Sequence, residues 1–308
     1  MIKLTGIRKQ YGNLIAVEAL NLTIPKSEIY GLIGPNGAGK TTSIRMMCGL
    51  LLPTQGQVEI AGVDVIAEPE RAQQHIGYLS DFFAVYDDLK VWEYLDFFAH
   101  AYKLPEEIIS ARVREVIADV GLEVKADSLI AGLSRGMKQR LGIARAIIHR
   151  PEVLLLDEPA SGLDPKARFE LRLLLQKLRD QGATVLISSH ILTELEGFCT
   201  SIGIMEKGRL VRSGRIEEVT AAASSSRKIF LRWVDQAPEL TDSLKQFGEI
   251  SGLEVQEFTA RFDFSASDER LADVLAKLLA AQVRIVSFNE VKATVEDLYM
   301  KLSHHEVM

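Results

Sequence analysis

"GPNGAGKT", residues 34–41, stands between "IYGLIG", a run that reads as a strand, and "IRMMCGLL", an apolar run that reads as a helix. It fits G-x-x-x-x-G-K-[ST] in full. Gly34, Gly37 and Gly39 let successive backbone N–H groups turn inward on phosphate oxygens. The following helix adds its positive N-terminal end. Pro35, Asn36, Ala38 and Thr42 belong to the same loop and helix start. Lys40 supplies a point charge to β- and γ-phosphates, and the Thr41 hydroxyl can take one Mg²⁺ position. The strand–loop–helix order separates this reading from a glycine turn with a chance lysine.

Outward from the loop, "PEVLLLDEP" at 151–159 is a short, wholly apolar run closed by two carboxylates. Such a run marks a strand buried on both faces of a parallel sheet. Asp157 can hold Mg²⁺, usually through water. Glu158, next door, could accept a proton from an attacking water. Two acidic residues ending a strand are common; paired with the loop at 34–41 they gain this meaning. His190 follows the strand "TVLISS". A lone histidine is often structural or merely exposed. Strand ends in an open parallel sheet converge on the ligand crevice, so His190 could reach a γ-phosphate.

The remaining pattern alternates strands and helices. "MIKLTGI", "VEALNLTI" and, after a turn at 53–56, "QVEIAG" read as strands; residues 89–150 are mostly helical. The helix "KARFELRLLLQKLRDQG", the strand "ATVLISSH", the helix "ILTELEGFC" and the strands "SIGIME" and "RLVRSG" follow. This argues for an α/β layer on a parallel sheet. "TAAASSS", residues 220–226, reads as a linker. Beyond it β-α-β-β-α-β suggests a split βαβ sandwich, and "TVEDLYMKLSHH", 294–305, reads as a closing helix. The division expected is 1–220, a linker at 221–227 and an accessory α+β domain at 228–308.

The chain has 308 residues, 47% hydrophobic and 25% charged, with net charge −6. It can bury a full core. No basic stripe stands out, so no nucleic-acid partner is expected. Its two cysteines, Cys48 and Cys199, cannot build a disulfide framework. No signal peptide is read at the N-terminus, and no apolar run approaches the ~20 residues of a membrane span. The expectation is a chain soluble by itself, whose membrane role comes through a partner.

"LSRGMKQR", 133–140, places Ser134 and Gly136 at a helix start ahead of a basic run. With the loop at 34–41, "LLLDEP", "SGLD" at 161–164 and His190, the order and spacing resemble the ATP-binding cassette (ABC) ATPases over about residues 1–220. The resemblance implies a P-loop NTPase core with an antiparallel β subdomain and a helical subdomain at about 82–150. It implies ATP and Mg²⁺ as ligands and catalytic roles for Lys40, Glu158 and His190. It also explains a second phosphate site in one small ATPase. Cassettes work as head-to-tail pairs, and the "LSRGMKQR"-type segment closes on the partner's ATP. Ser134 is also a natural N-cap, which is how the helix N–H groups are aimed.

Carried over position by position, Tyr11 resembles the aromatic that stacks on adenine, though an ordinary strand-edge aromatic would look the same. Asp164 resembles the carboxylate that crosses the dimer interface. Three positions depart from the pattern: Arg135 replaces a glycine, Met137 a glutamine, and Asp81 the glutamine of the loop at "IGYLSDFF". Asp81 is expected to reach Mg²⁺ through a water, or else to cap its loop. Nine of the chain's 21 aromatics fall between Tyr78 and Tyr102. They can be core, or an apolar groove for a membrane subunit's helix.

The function expected is the ATP-hydrolysing subunit of a bacterial exporter-like ABC transporter. It would form a homodimer on separately encoded integral membrane permease subunits, at the cytoplasmic face of the membrane. The alternative is a non-transport ABC ATPase, or an assembly ATPase with soluble partners. A single cassette, no long insertion and an acidic balance stand against ribosome- or DNA-acting members.

Overall fold

The computed structural model describes residues 1–191, 195, 197–221, 227–234 and 240–291. The helix expected at 191–199 and the linker at 220–226 fall partly outside these residues, and the closing helix at 294–305 wholly so. The chain divides into two compact units, Met1–Ile216 and Glu217–Met308.

The first unit opens with β1 (Ile2–Tyr11), β2 (Leu14–Ile24), β3 (Ile29–Ile33), α1 (Lys40–Met47), β4 (Gln55–Ile60), β5 (Val63–Asp64), α2 (Pro69–Gln73) and β6 (Ile76–Leu79). Ile2, Leu4 and Ile7 of β1 are buried while Lys3 and Thr5 are exposed. This alternation suits an antiparallel sheet with one wet face, and the strands pair in the order β2-β1-β4-β5. β3 is buried at every position.

After β6 come α3 (Val91–Ala101), α4 (Glu106–Asp119) and α5 (Arg135–Ile147), then β7 (Val153–Leu156), α6 (Pro165–Asp180), β8 (Thr184–Ser189), β9 (Ser201–Glu206) and β10 (Arg209–Arg215). β7 and β8 are buried throughout. A second sheet runs β10-β9-β3-β8-β7-β6. Its inner pairings are parallel, and β10 joins β9 antiparallel. Ile2, Ile24 and Val58 of the first sheet share one core with Leu32, Ile44, Leu155 and Leu186.

The helices α3–α5 bury Tyr94 and Leu95, Val113 and Val116, and Leu141 and Ala144. Buried Arg112 on α4 donates to Ile148 O at 2.9 Å and Ile147 O at 2.5 Å. These are last-turn carbonyls of α5, which lack helical partners. One difference from the sequence pattern matters for the site. α1 begins at Lys40, four residues before the apolar run read as its start, so Lys40, Thr41 and Thr42 occupy its first turn.

The second unit contains β11 (Arg227–Val234), α8 (Leu240–Lys245), β12 (Ile250–Gln256), β13 (Thr259–Phe264), α9 (Asp268–Ala280) and β14 (Arg284–Val291). This is the β-α-β-β-α-β order, with strands arranged β12-β13-β11-β14 and every pairing antiparallel. Ile229, Leu231, Phe262 and Phe264 pack with Leu244, Val274 and Leu278. α7 (Ile216–Ala221) spans the boundary and takes two residues of the expected linker. Glu217 and Glu218 in its first turn favour helix over linker.

Candidate active site

The loop 34–41 sits at the C-terminal end of β3, which lies between β8 and β9. Gly39 is the N-cap of α1 at φ +101°. A Cβ there would lie 2.5 Å from Ala16 O, so a side chain is excluded by both backbone angle and space. The glycine lets the loop pack directly against the backbone of β2. The Lys40 Nζ folds back and donates to Gly34 O at 2.6 Å and Pro35 O at 3.3 Å. Thr41 and Thr42 are partly buried in the same turn, whereas Asn36 and Gly37 are exposed.

β7 lies beside β6 and β8, and the Asp157 N–H donates to Leu79 O at 2.8 Å. The Asp157 side chain is 1% exposed. Such a carboxylate needs a partner, and Ser188 Oγ donates to its Oδ1 at 2.6 Å. The same Ser188 oxygen accepts the Glu158 N–H at 2.9 Å. Glu158 has φ +50°, a costly angle for a non-glycine residue. Its Oε1 lies 3.3 Å from the Lys40 Nζ. Its Oε2 lies 2.8 Å from the His190 Nδ1 and accepts the His190 N–H at 3.4 Å. The structure therefore brings Lys40, Asp157, Glu158 and His190 together at the strand ends.

Ser188 is the residue the sequence reading missed. The signal was a hydroxyl at the end of an otherwise apolar strand, where a buried polar atom must be paired.

Asp81 follows β6 by two residues and is exposed. Partial burial of the carboxyl, then the charges of Asp157 and Glu158, push its pKa up; Arg135 and His190 act against this. Asp81 thus feels both site carboxylates. Among the described residues no group of three or more His, Cys, Asp or Glu could hold a metal by itself. Thr41 and Asp157 are residues that could supply a hydroxyl and a carboxylate oxygen to a hard cation bound together with phosphate.

Ser134 is the N-cap of α5, its Oγ accepting the Met137 N–H at 3.3 Å. That leaves its O–H free to donate. A Cβ on Gly136 would lie 3.0 Å from the Ala167 Cβ of α6. Asp164 caps α6, its Oδ1 accepting the Ala167 N–H at 2.8 Å. The two caps are local to α5 and α6, and only the Gly136–Ala167 approach joins the two helices; none of these contacts reaches Lys40 or the Glu158 carboxylate. Tyr11, at the end of β1, is 47% exposed, with the Lys9 Nζ 5.1 Å from its ring centroid. Of the aromatic stretch, Tyr94 is buried, while Phe82, Tyr86, Trp92, Phe97 and Tyr102 are exposed. Tyr86 and Phe97 meet edge-on at 6.1 Å. The stretch is therefore part core and part surface.

A family model described as ABC transporter matches residues 17–161. The chain is 36% identical over 228 residues to the probable multidrug ABC transporter ATP-binding protein YbhF of Escherichia coli K12, covering 74% of this chain. It spans only 39% of YbhF's length. With the bacitracin transport ATP-binding protein BcrA of Enterococcus faecalis it shares 35% identity over 310 residues, 98% of this chain and 96% of that one. Among solved structures, the dimeric post-hydrolysis state of the ATP-binding cassette MJ0796, bound to ADP and Pi, superposes with a TM-score of 0.63 at 28% identity. It covers 70% of this chain and 98% of that cassette. The chain belongs to the ATP-binding subunits of ABC transporters.

Proposed function

We propose that this chain hydrolyses ATP as one half of a head-to-tail homodimer and drives separately encoded membrane subunits of an exporter. The observation that carries the reading is the Glu158 carboxylate, shared between Lys40 and His190 at the mouth of the glycine loop. Lys40 and the first-turn N–H groups of α1 bind the phosphates. Glu158 takes the proton of the attacking water, held in place by Ser188 and His190. Thr41 and Asp157 would hold Mg²⁺, with Asp81 as a further carboxylate acting through water. Bound there, Mg²⁺ neutralises phosphate charge.

Ser134 and Gly136 complete the partner's site. One chain carries both halves, which favours a homodimer. The exposed aromatics of α3 and the loop before it suit the helix of a membrane subunit. Among the described residues no helix is long and apolar enough to cross a membrane. The chain then works at the cytoplasmic face. The relatives named for multidrug and bacitracin transport support a small-molecule cargo.

The test is to purify the chain with the membrane protein encoded beside it. ATP hydrolysis that needs Mg²⁺ and rises in the joint complex supports the reading. A neighbour without membrane spans, or hydrolysis indifferent to it, would overturn the transport part.

A further inference from the structure

Arg135 occupies the first turn of α5, at the position where the resemblance expects glycine. Its Nη2 donates to Ser161 O at 2.9 Å. The fit is close, because a Cβ on Gly162 would lie 2.3 Å from the Arg135 Nη1. Only the missing side chain at 162 admits the guanidinium.

Ser161 in turn donates its N–H to Glu158 O at 3.1 Å. The turn that begins at Glu158 therefore ends on Arg135. Beyond it Leu163 donates to Ala160 O at 3.2 Å, and Asp164 caps α6. Gly136, the next residue of α5, abuts Ala167 of α6. The two helix starts lie side by side, with Arg135 joining the first to the turn before the second.

Glu158 holds φ +50°. A non-glycine residue keeps such an angle only where its surroundings over-determine it. Ser188 restrains its N–H, Lys40 and His190 its carboxylate, and Ser161 its carbonyl. Arg135 is what ties the last of these to a separate helix.

We propose that Arg135 is a positioning residue for Glu158: it couples the place of the α5 start to the alignment of the carboxylate through Ser161. The proposal rests on the reading of Glu158 as the base. In a head-to-tail pair the α5 start meets the partner's nucleotide. Arg135 then makes each chain's own Glu158 sensitive to occupancy of the other site, a coupling between the two sites.

The experiment compares Arg135→Ala, Arg135→Gly and Arg135→Lys with wild type and with Glu158→Gln. Arg135 is exposed, and a hydrogen bond there adds little to folding. Melting temperature and ATP affinity of the monomer should stay at wild-type values. The kcat should fall up to about fivefold, the rate equivalent of one exposed charged hydrogen bond. The Hill coefficient for ATP should fall toward one. Lysine, which can still donate to Ser161 O, should recover most of both. Agreement between alanine and glycine removes helix propensity as the cause.

Wild-type kcat and Hill coefficient in Arg135→Ala, with Glu158→Gln inactive, would overturn the proposal alone. An Arg135→Lys as impaired as alanine would also overturn it. Turnover retained by Glu158→Gln would overturn the base assignment beneath it, a separate result.

Discussion

The Lys40 Nζ stands 3.3 Å from the Glu158 Oε1, with the two side chains only 5% and 12% exposed. A cation and a carboxylate this shielded interact more strongly than a surface pair. The same lysine is the group proposed to meet phosphate, so carboxylate and phosphate compete for it. Glu158→Gln removes one negative charge from that spot and the proton acceptor with it. Steady-state hydrolysis should fall by about 10²–10⁴-fold, the contribution of a positioned base. ATP affinity should hold or tighten, and ATP should trap a dimer visible by size exclusion. Wild-type turnover in this variant would sink the assignment.

Ser134→Arg should leave ATP affinity of the isolated chain nearly intact and stop hydrolysis. The side chain caps α5, so the change also costs about 1 kcal/mol of stability. Mixing this chain with Lys40→Ala should rescue at most one site per dimer. A large loss of ATP affinity in the Ser134→Arg monomer would show that the segment serves its own chain's nucleotide.

Asp81→Gln tests the third departure. Asp81 lies in the field of Asp157 and Glu158, so a further negative charge near phosphate is unfavourable without a cation. The variant should bind metal-free ATP several-fold better while still hydrolysing with Mg²⁺. Titrations of both proteins with and without Mg²⁺ give the ratio. An unchanged ratio would leave Asp81 as a loop residue.

His149 supplies a pH dependence unrelated to catalysis. Its Nε2 meets Ile76 O at 3.1 Å and its ring stacks on Tyr102 at 3.8 Å. Its Nδ1 has no partner among the described residues. Burial pulls the pKa down to about 4, the Ile76 carbonyl opposing and Arg112 assisting. The free imidazole titrates near 6.5. Between these values the unfolded chain binds more protons, so stability falls as pH drops from about 6.5 toward 4 and is level above. The loss is at most about 3 kcal/mol. Melting temperatures from pH 7 to 4.5 should fall less steeply in His149→Gln, which stays neutral. Equal slopes in the two proteins would refute the effect.

Deleting residues 228–308 should leave a folded cassette that binds ATP, because the units Met1–Ile216 and Glu217–Met308 each hold a core of their own. Dimer stability or regulation is what should change. A truncated chain without secondary structure by circular dichroism would refute the division.

The sequence alone determined whatever depends on neighbours in the chain. The glycine spacing of 34–41 dictates a loop because backbone freedom is a local property. The run "LLL" at 154–156 dictates a doubly buried strand because every position is compatible with a core. Ser134 is legible as a cap because a side-chain oxygen needs only the N–H three residues on. Tertiary structure decided what meets across long separations. Lys40 and Glu158 are 118 positions apart in number, and only the order β3-β8-β7 sets their strand ends close together. The Ser188 hydroxyl became the bridge between Asp157 and Glu158 when β8 was laid beside β7. Arg135 read from sequence as a mere departure from a pattern. Its link to Ser161 exists because packing of the α5 start against the α6 start brings a guanidinium within 2.9 Å of one particular carbonyl. Local rules select loops, strands and caps; strand order and helix packing select which charged groups face one another.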